Sequence, residues 1–271
     1  MAIHLCCACG TSYPDAHGPP SRCPICEDER QFVPRDGQVW TTREKLARGH
    51  VNGWRQLETD LFEIHTDPGF AIGQRALLLK TREGNILWDC IALLDDATEA
   101  QVRALGGLRM IAISHPHYYT CMQDWARAFV CPVHLHAADA DWIVRPDPAI
   151  RHWHGDTLEL LPGVTLLRLG GHFPGGAVLH WAEGAEGRGA ILSGDIVQVA
   201  ADLGRVSFLW SYPNMMPLSA ATVKRIAGAL APWRFDRIYG AFPGREVMTG
   251  AARVVQRSAA RYIELLEGDQ P

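Results

Sequence analysis

The sequence predicts a layered α/β domain preceded by a small metal-stapled segment. Two observations carry this. Five of the eight cysteines fall within the first 26 of 271 residues. From about Gly73 onward, short apolar runs with strand character alternate with stretches of helical periodicity. Sheets and helices mixed in this way bury their apolar faces by stacking in layers. The composition agrees: 47% of the residues are hydrophobic and 21% charged, as in ordinary soluble proteins, and the chain is long enough to bury a sizeable core. The net charge of -4 is interspersed along the chain and does not suggest a nucleic-acid or membrane surface. No apolar stretch approaches the ~20 residues needed to span a bilayer. The start, Met1 to Leu5, is too short for a signal peptide, and no longer apolar run follows it.

Residues 1–35 read as a knuckle, residues 36–271 as the main domain, with a linker at Pro34 to Gln38. The first segment has little aliphatic content and contains Gly18-Pro19-Pro20, so it needs a staple to fold. Cys6-Cys7-Ala8-Cys9 and Cys23-Pro24-Ile25-Cys26 are two CxxC units with thirteen residues between them. Each CxxC turn can face two thiolates toward one ion. Two turns complete a tetrahedral shell from Cys6, Cys9, Cys23 and Cys26, suited to Zn2+ or to a single iron. Two redox pairs without metal are the competing reading. Cys7 is the odd cysteine and could replace a neighbour in the shell. A closed four-thiolate shell has no open position, which makes its role structural. A disulfide framework would spread its cysteines more evenly, so the clustering implies a reducing compartment and a cytoplasmic protein. The segment resembles a rubredoxin-like zinc ribbon.

In the main domain, Ala76 to Lys80 and Asn85 to Asp89 read as strands joined at Arg82-Glu83-Gly84. Thr98 to Gln101 reads as a capping box opening a helix that turns Val102 and Leu105 inward. Met110 to Ser114 reads as a buried strand leading into His115. Met122, Trp125, Ala126 and Phe129 recur at helical spacing, so 120–129 reads as a helix. Further strands are expected at Pro132 to Leu135, Val164 to Leu169, Ala177 to Trp181 and Gly189 to Ser193. Ser219 can cap a helix, and a last helix runs from about Ala251 to Glu267.

Three loops carry the chemistry: Ser114-His115-Pro116-His117-Tyr118-Tyr119-Thr120, Gly170-Gly171-His172-Phe173-Pro174-Gly175-Gly176, and Leu192-Ser193-Gly194-Asp195. Alternate residues of an extended loop can turn two imidazoles toward one ion, though an HxH alone would also fit two surface histidines. In their order and spacing the loops resemble the metallo-β-lactamase superfamily, with its Asp-ended strand, HxHxDH loop, GHxPG loop, GD strand end and late GH. The resemblance covers roughly Gly73 to Arg245. It implies an αββα sandwich with a metal site at one edge of its two sheets. His115, His117 and His172 match the imidazoles of the first metal, and Asp195 matches the carboxylate that normally bridges two. Asp89 matches the Asp before the histidine loop and is expected to orient a ligand histidine. Tyr119, Thr120 and Ala241 stand where the ligands exclusive to the second metal would be. This implies a mononuclear site, best suited to Zn2+, with Fe2+ and Mn2+ also compatible.

Asp195 can either complete the ligand shell or accept a proton from an attacking water as a general base. Tyr119 can donate to a developing oxyanion or simply plug the gap. Thr120 is expected to cap the helix it precedes, with Gln123 completing a capping box. His134, His136, His152, His154 and His180 read as structural. So do Cys90, Cys121 and Cys131, as small hydrophobes. Ser211 to Pro217 either lines the pocket or is an ordinary loop. The leading function is a mononuclear metal-dependent hydrolase of a small ester, thioester or lactone. The alternative is a non-catalytic metal- or ligand-binding member that has lost its second metal. Electron transfer between an iron knuckle and the main site is less favoured, because the carboxylate-rich shell it would use is missing. A nuclease is weaker still on charge.

Overall fold

Strand β1 (His4–Cys6) pairs antiparallel with β2 (Trp40–Thr42), so both sides of the expected linker join one small sheet. This is seen in a computed structural model that describes residues 2–268, which falls into two compact units, Met1–Trp153 and His154–Pro271.

The first unit holds a seven-stranded sheet in strictly sequential order: β3 (Val51–Glu58), β4 (Leu61–Asp67), β5 (Arg75–Leu79), β6 (Ile86–Trp88), β7 (Met110–Ala112), β8 (Val133–His136) and β9 (Ile150–Trp153). Pairing is antiparallel from β3 to β6 and parallel from β6 to β9. Every residue of β5, β6 and β7 is buried, which is why these strands read as unbroken apolar runs rather than as alternation. The crossover from β6 to β7 carries the helix Asp96–Ala104. Its cap is Asp95, whose carboxylate accepts from Thr98 N–H, so the helix opens earlier than the expected box at Thr98. The crossover from β7 to β8 carries the helix Met122–Phe129.

The second unit holds a six-stranded sheet: β10 (Thr157–Leu161), β11 (Val164–Arg168), β12 (Ala177–Trp181), β13 (Ala190–Gly194), then β18 (Arg237–Gly240) and β19 (Glu246–Val247). Only β13 and β18 pair in parallel. Between them the chain forms two small hairpins, β14 (Gln198–Val199) with β15 (Val206–Ser207), and β16 (Leu209–Ser211) with β17 (Met216–Pro217). Ser219 caps the helix Ala220–Leu230 by accepting from Thr222 N–H, as the sequence predicts. The last helix, Ala251–Glu267, also falls where expected. Val223, Ile226 and Leu230 of one helix and Val255 and Ala259 of the other close a core over Ile191, Val178 and Ile238.

A charged pair sits inside the first sheet. Glu63 and Arg75 are both about 1% exposed, and Arg75 donates to the Glu63 carboxylate; Arg55 donates to the same oxygen at 3.0 Å. Burial alone would raise the Glu63 pKa, but the Arg75 and Arg55 guanidinium groups overcome it and hold the carboxyl below its ordinary value. A carboxyl depressed in the folded state adds stability above its unfolded pKa and loses it as pH falls through the folded pKa. Arg75→Met removes the buried partner of the Glu63 carboxylate, leaves it to the half-exposed Arg55, and is expected to cost about 3 kcal/mol at pH 7. Urea unfolding at pH 7 and pH 4 checks this. The gap to wild type should narrow at the lower pH, where protonation neutralises that carboxylate. An equal gap at both pH values would exclude Glu63 as the cause.

Candidate metal centre

The strand β7 ends at Ala112, and the chain then runs extended through His115, where φ is -170°, into a short 3-10 turn at Pro116–Tyr118. Asp89 fixes this exit. Its N–H donates to Ala112 O at 2.9 Å, and its carboxylate accepts from Ser114 N–H at 2.7 Å. The expected orienting role of Asp89 thus includes the backbone one residue before His115. Asp89 holds φ +61° to do so. The rings of His115 and His117 lie 5.1 Å apart, and Ser114 Oγ lies 2.9 Å from His115 Nδ1.

His172 follows the turn after β11, and Asp195 follows β13 directly. His172 Nδ1 lies 2.7 Å from the Trp210 carbonyl, which can only accept. The proton is therefore on Nδ1, and Nε2 keeps the lone pair that a ligand needs. The Tyr212 hydroxyl donates to Asp195 O at 2.6 Å, and its ring meets that of His172 at 5.5 Å. Tyr212, from the 211–217 segment that the sequence left open, thus holds Asp195 and packs on His172, while Trp210, just before that segment, holds His172. Neither contact left a sequence signal, since both acceptors are main-chain carbonyls and Tyr212 belongs to no periodic pattern.

His115, His117, His172 and Asp195 each offer one ligand atom, all four atoms lie within 4.8 Å of one another, and all four residues are buried. Burial pushes the His115 pKa well below its ordinary value, and the Arg30 guanidinium adds to this. Neutral imidazole is the form that ligates. Three imidazoles and a carboxylate gathered out of water fit a borderline divalent cation such as zinc.

Tyr119, Thr120 and Ala241, expected from the resemblance to stand where a second ligand set would be, are all buried. Burial and nearby Asp139 raise the Tyr119 pKa, so the phenol keeps its proton, and its hydroxyl lies 3.3 Å from Asp139 O. Thr120 does not cap the following helix. Cys121 occupies that position without a side-chain bond, and Gln123 instead bonds to Arg145. The reason is geometric: Thr120 sits at φ +32°, outside the extended region a capping residue adopts.

Cys6, Cys9, Cys23 and Cys26 form a second metal-capable group, also buried. The Sγ pairs Cys6–Cys26 and Cys9–Cys23 are each 3.6 Å apart. That is far beyond a disulfide of ~2.05 Å. It is close to the ~3.8 Å edge of a tetrahedron with metal–sulfur bonds of ~2.3 Å. Gln38 donates to Cys6 Sγ at 2.8 Å and the Tyr13 hydroxyl to Cys23 Sγ at 3.0 Å, both favouring thiolate. Hydrogen bonds from Cys26 and Cys6 lower the Cys23 pKa further. Cys7 is only half-buried and lies outside the group.

Of the remaining histidines, His136 Nδ1 accepts from Ala138 N–H and His180 Nε2 lies 2.9 Å from Arg234 O. Among the described residues none of these histidines joins a metal-capable group. Cys90, Cys121 and Cys131 are buried, as expected of small hydrophobes.

No family model matches the chain. The uncharacterized protein YmaE of Bacillus subtilis (strain 168) is 47% identical over 271 residues, covering 99% of this chain and 98% of that protein. Among solved structures, the DIM-1 metallo-beta-lactamase superposes with TM-score 0.59 at 14% identity, over 78% of this chain and 96% of its own. The SMB-1 metallo-beta-lactamase does so with TM-score 0.53 at 18% identity, over 76% and 93%. At such identity the likeness speaks for the fold. The chain therefore belongs to the family of Bacillus subtilis YmaE and has the metallo-β-lactamase fold.

Proposed function

We propose that this protein is a mononuclear zinc hydrolase acting on a small ester, thioester or lactone. The carrying observation is the buried group of His115, His117, His172 and Asp195; the family resemblance puts Tyr119, Thr120 and Ala241, also buried, at the positions of a second ligand set. A zinc ion bound there would polarise a carbonyl oxygen and lower the pKa of a water. His115, His117 and His172 would hold it through neutral imidazoles. Asp195 either completes the shell or stands off and accepts the proton of the attacking water. Tyr119 would exchange its 3.3 Å bond to Asp139 O for a bond to the developing oxyanion. The four cysteines would hold a second, structural zinc in a ribbon-like knuckle, and residues 36–271 would form the catalytic domain. A small-molecule substrate, with neither nucleic acid nor membrane as partner, fits the charge of -4 and the reducing, cytoplasmic setting inferred from the clustering of the cysteines. No helix among the described residues is long and apolar enough to cross a membrane.

Hydrolysis of p-nitrophenyl acetate, an acyl thioester and a simple lactone by the zinc-loaded chain, with and without chelator, tests this reading. Turnover of at least one compound that disappears on chelation is the expected result; full turnover by the metal-stripped chain would exclude it. A second reading rests on a specific observation. With Asp195 as a ligand, four protein groups would fill a tetrahedral shell, and the Tyr119 hydroxyl lies 3.3 Å from Asp139 O, an arrangement that suits a non-catalytic site. It predicts no turnover of any of the three compounds with zinc in place. Tyr119→Phe separates the roles of the phenol. As an oxyanion donor its loss lowers kcat about 10²–10³-fold with KM unchanged. An unchanged kcat makes Tyr119 a plug.

A further inference from the structure

The turn that gathers two of the cysteines also grips the histidine loop. Ser12 donates two hydrogen bonds to the Thr120 carbonyl, from its N–H at 2.9 Å and from its hydroxyl at 2.7 Å. Gly10 lies beside them at φ +80°, where an added Cβ would stand 3.4 Å from Thr120 Cγ2, 3.3 Å from Ala71 Cβ and 3.4 Å from Ala92 Cβ. Ser12 and Thr120 are almost fully buried. Thr120 is β-branched, sits in the left-handed region, and has no hydrogen-bond partner for its own hydroxyl. Such a conformation persists only where the surroundings over-determine it. Thr120 is three residues from His117 and five from His115, so what fixes its backbone also fixes the end of the histidine loop.

The other side of the contact is built from the cysteine turn itself. Gly10 N–H donates to Cys6 O at 2.8 Å, Cys6 N–H donates to Thr11 O at 3.0 Å, and Cys9 Sγ lies 3.3 Å from Thr11 Oγ1. The bonds that present Cys6 and Cys9 to a common centre therefore also deliver Ser12 to Thr120.

We propose that Ser12 is a positioning residue for the histidine site, and that through it metal in the four-cysteine group raises metal affinity at His115, His117, His172 and Asp195. This rests on the reading above that both groups hold metal. The coupling is reciprocal, because a coupling free energy between two binding sites has no direction. It gives the N-terminal segment a task that a stand-alone structural knuckle would not have. The second metal that would otherwise brace this loop is replaced by a braced carbonyl.

Titration of the metal-free full chain with Co2+ reads the two sites separately. Cobalt held by thiolates gives an intense near-ultraviolet charge-transfer band, and cobalt held by imidazoles and a carboxylate gives only visible ligand-field bands. Ser12→Ala is expected to leave the thiolate band unchanged and to weaken the imidazole site roughly tenfold, the scale of lost outer-shell support. Ser12→Thr, which keeps the hydroxyl, should recover most of it. Cys23→Ser should lose the thiolate band and weaken the imidazole site at least as much. Far-ultraviolet circular dichroism and Tm of Ser12→Ala separate positioning from folding: a lowered Tm with an unchanged imidazole-site titration overturns the proposal. So does wild-type affinity at the imidazole site in both Ser12→Ala and Cys23→Ser. A wild-type chain with no thiolate band shows instead that the cysteine reading has failed and removes the coupling, and Ser12→Ala still decides the positioning role.

Discussion

His115→Ala is expected to remove both hydrolysis and one metal ion per chain. His115 is fully buried, and its Nδ1 is engaged with Ser114 Oγ. The residue supplies one of only three imidazoles to the group. Disturbing an outer-shell partner of a ligand typically costs ~10–100-fold in affinity or activity, so loss of the ligand itself should exceed that range. Metal content measured beside turnover decides the cause. Activity lost with the metal retained would make His115 a structural residue, and activity retained with the metal lost would sink the hydrolase reading altogether. The cysteine group gives an internal control for folding, since its metal should survive the substitution.

Cys23→Ser is expected to have the second large effect, on stability rather than on chemistry. The first segment buries Cys6, Cys9, Cys23, Cys26 and Ile25 with Tyr13 in a cluster of their own, against Trp40 and Trp142. Four thiols form most of that cluster, so its apolar burial is small. Structural zinc contributes an apparent ~10–16 kcal/mol in finger peptides at pH 7, and that binding energy is folding energy. Without a complete shell the segment should open locally. Hydrogen exchange would show residues 4–42 losing protection together, because β1 and β2 share one small sheet. Metal stoichiometry would fall from two to one or below. Protection unchanged in this segment would mean that packing alone holds it and that the thiolates are not ligands.

The residues of the candidate site were legible because their spacing is set by chemistry. Two imidazoles on one extended loop, a glycine-flanked histidine and an aspartate ending an apolar strand all leave traces in the sequence. Strands β5 to β7 were legible because burial on both faces makes them largely apolar runs. Strand β3 was not. It lies at the sheet edge, largely polar, with Gly53 as its third residue, where an added Cβ would stand 2.6 Å from the His65 ring. Edge exposure removes the apolar signal, and the glycine imitates a turn. Helix caps were misplaced for two reasons: Asp95 caps ahead of Thr98, and the left-handed backbone of Thr120 keeps it from capping. The supports of His172 and Asp195 escaped notice because they run through Trp210 O and Asp195 O. A main-chain acceptor looks the same in every residue type.

The contact of Ser12 and Gly10 with Thr120 also bears on how such a protein could change. Rebuilding a two-metal centre would take a carboxylate at 119 and imidazoles at 120 and 241. At 120 an imidazole would need room where the Gly10 turn already lies against the side chain, on a backbone already in the left-handed region. Point substitutions at those three positions are therefore expected to yield a misfolded loop rather than a second site, unless the N-terminal turn first withdraws. The packing of one buried threonine against the Gly10 turn thus acts as a steric barrier to a larger side chain at 120.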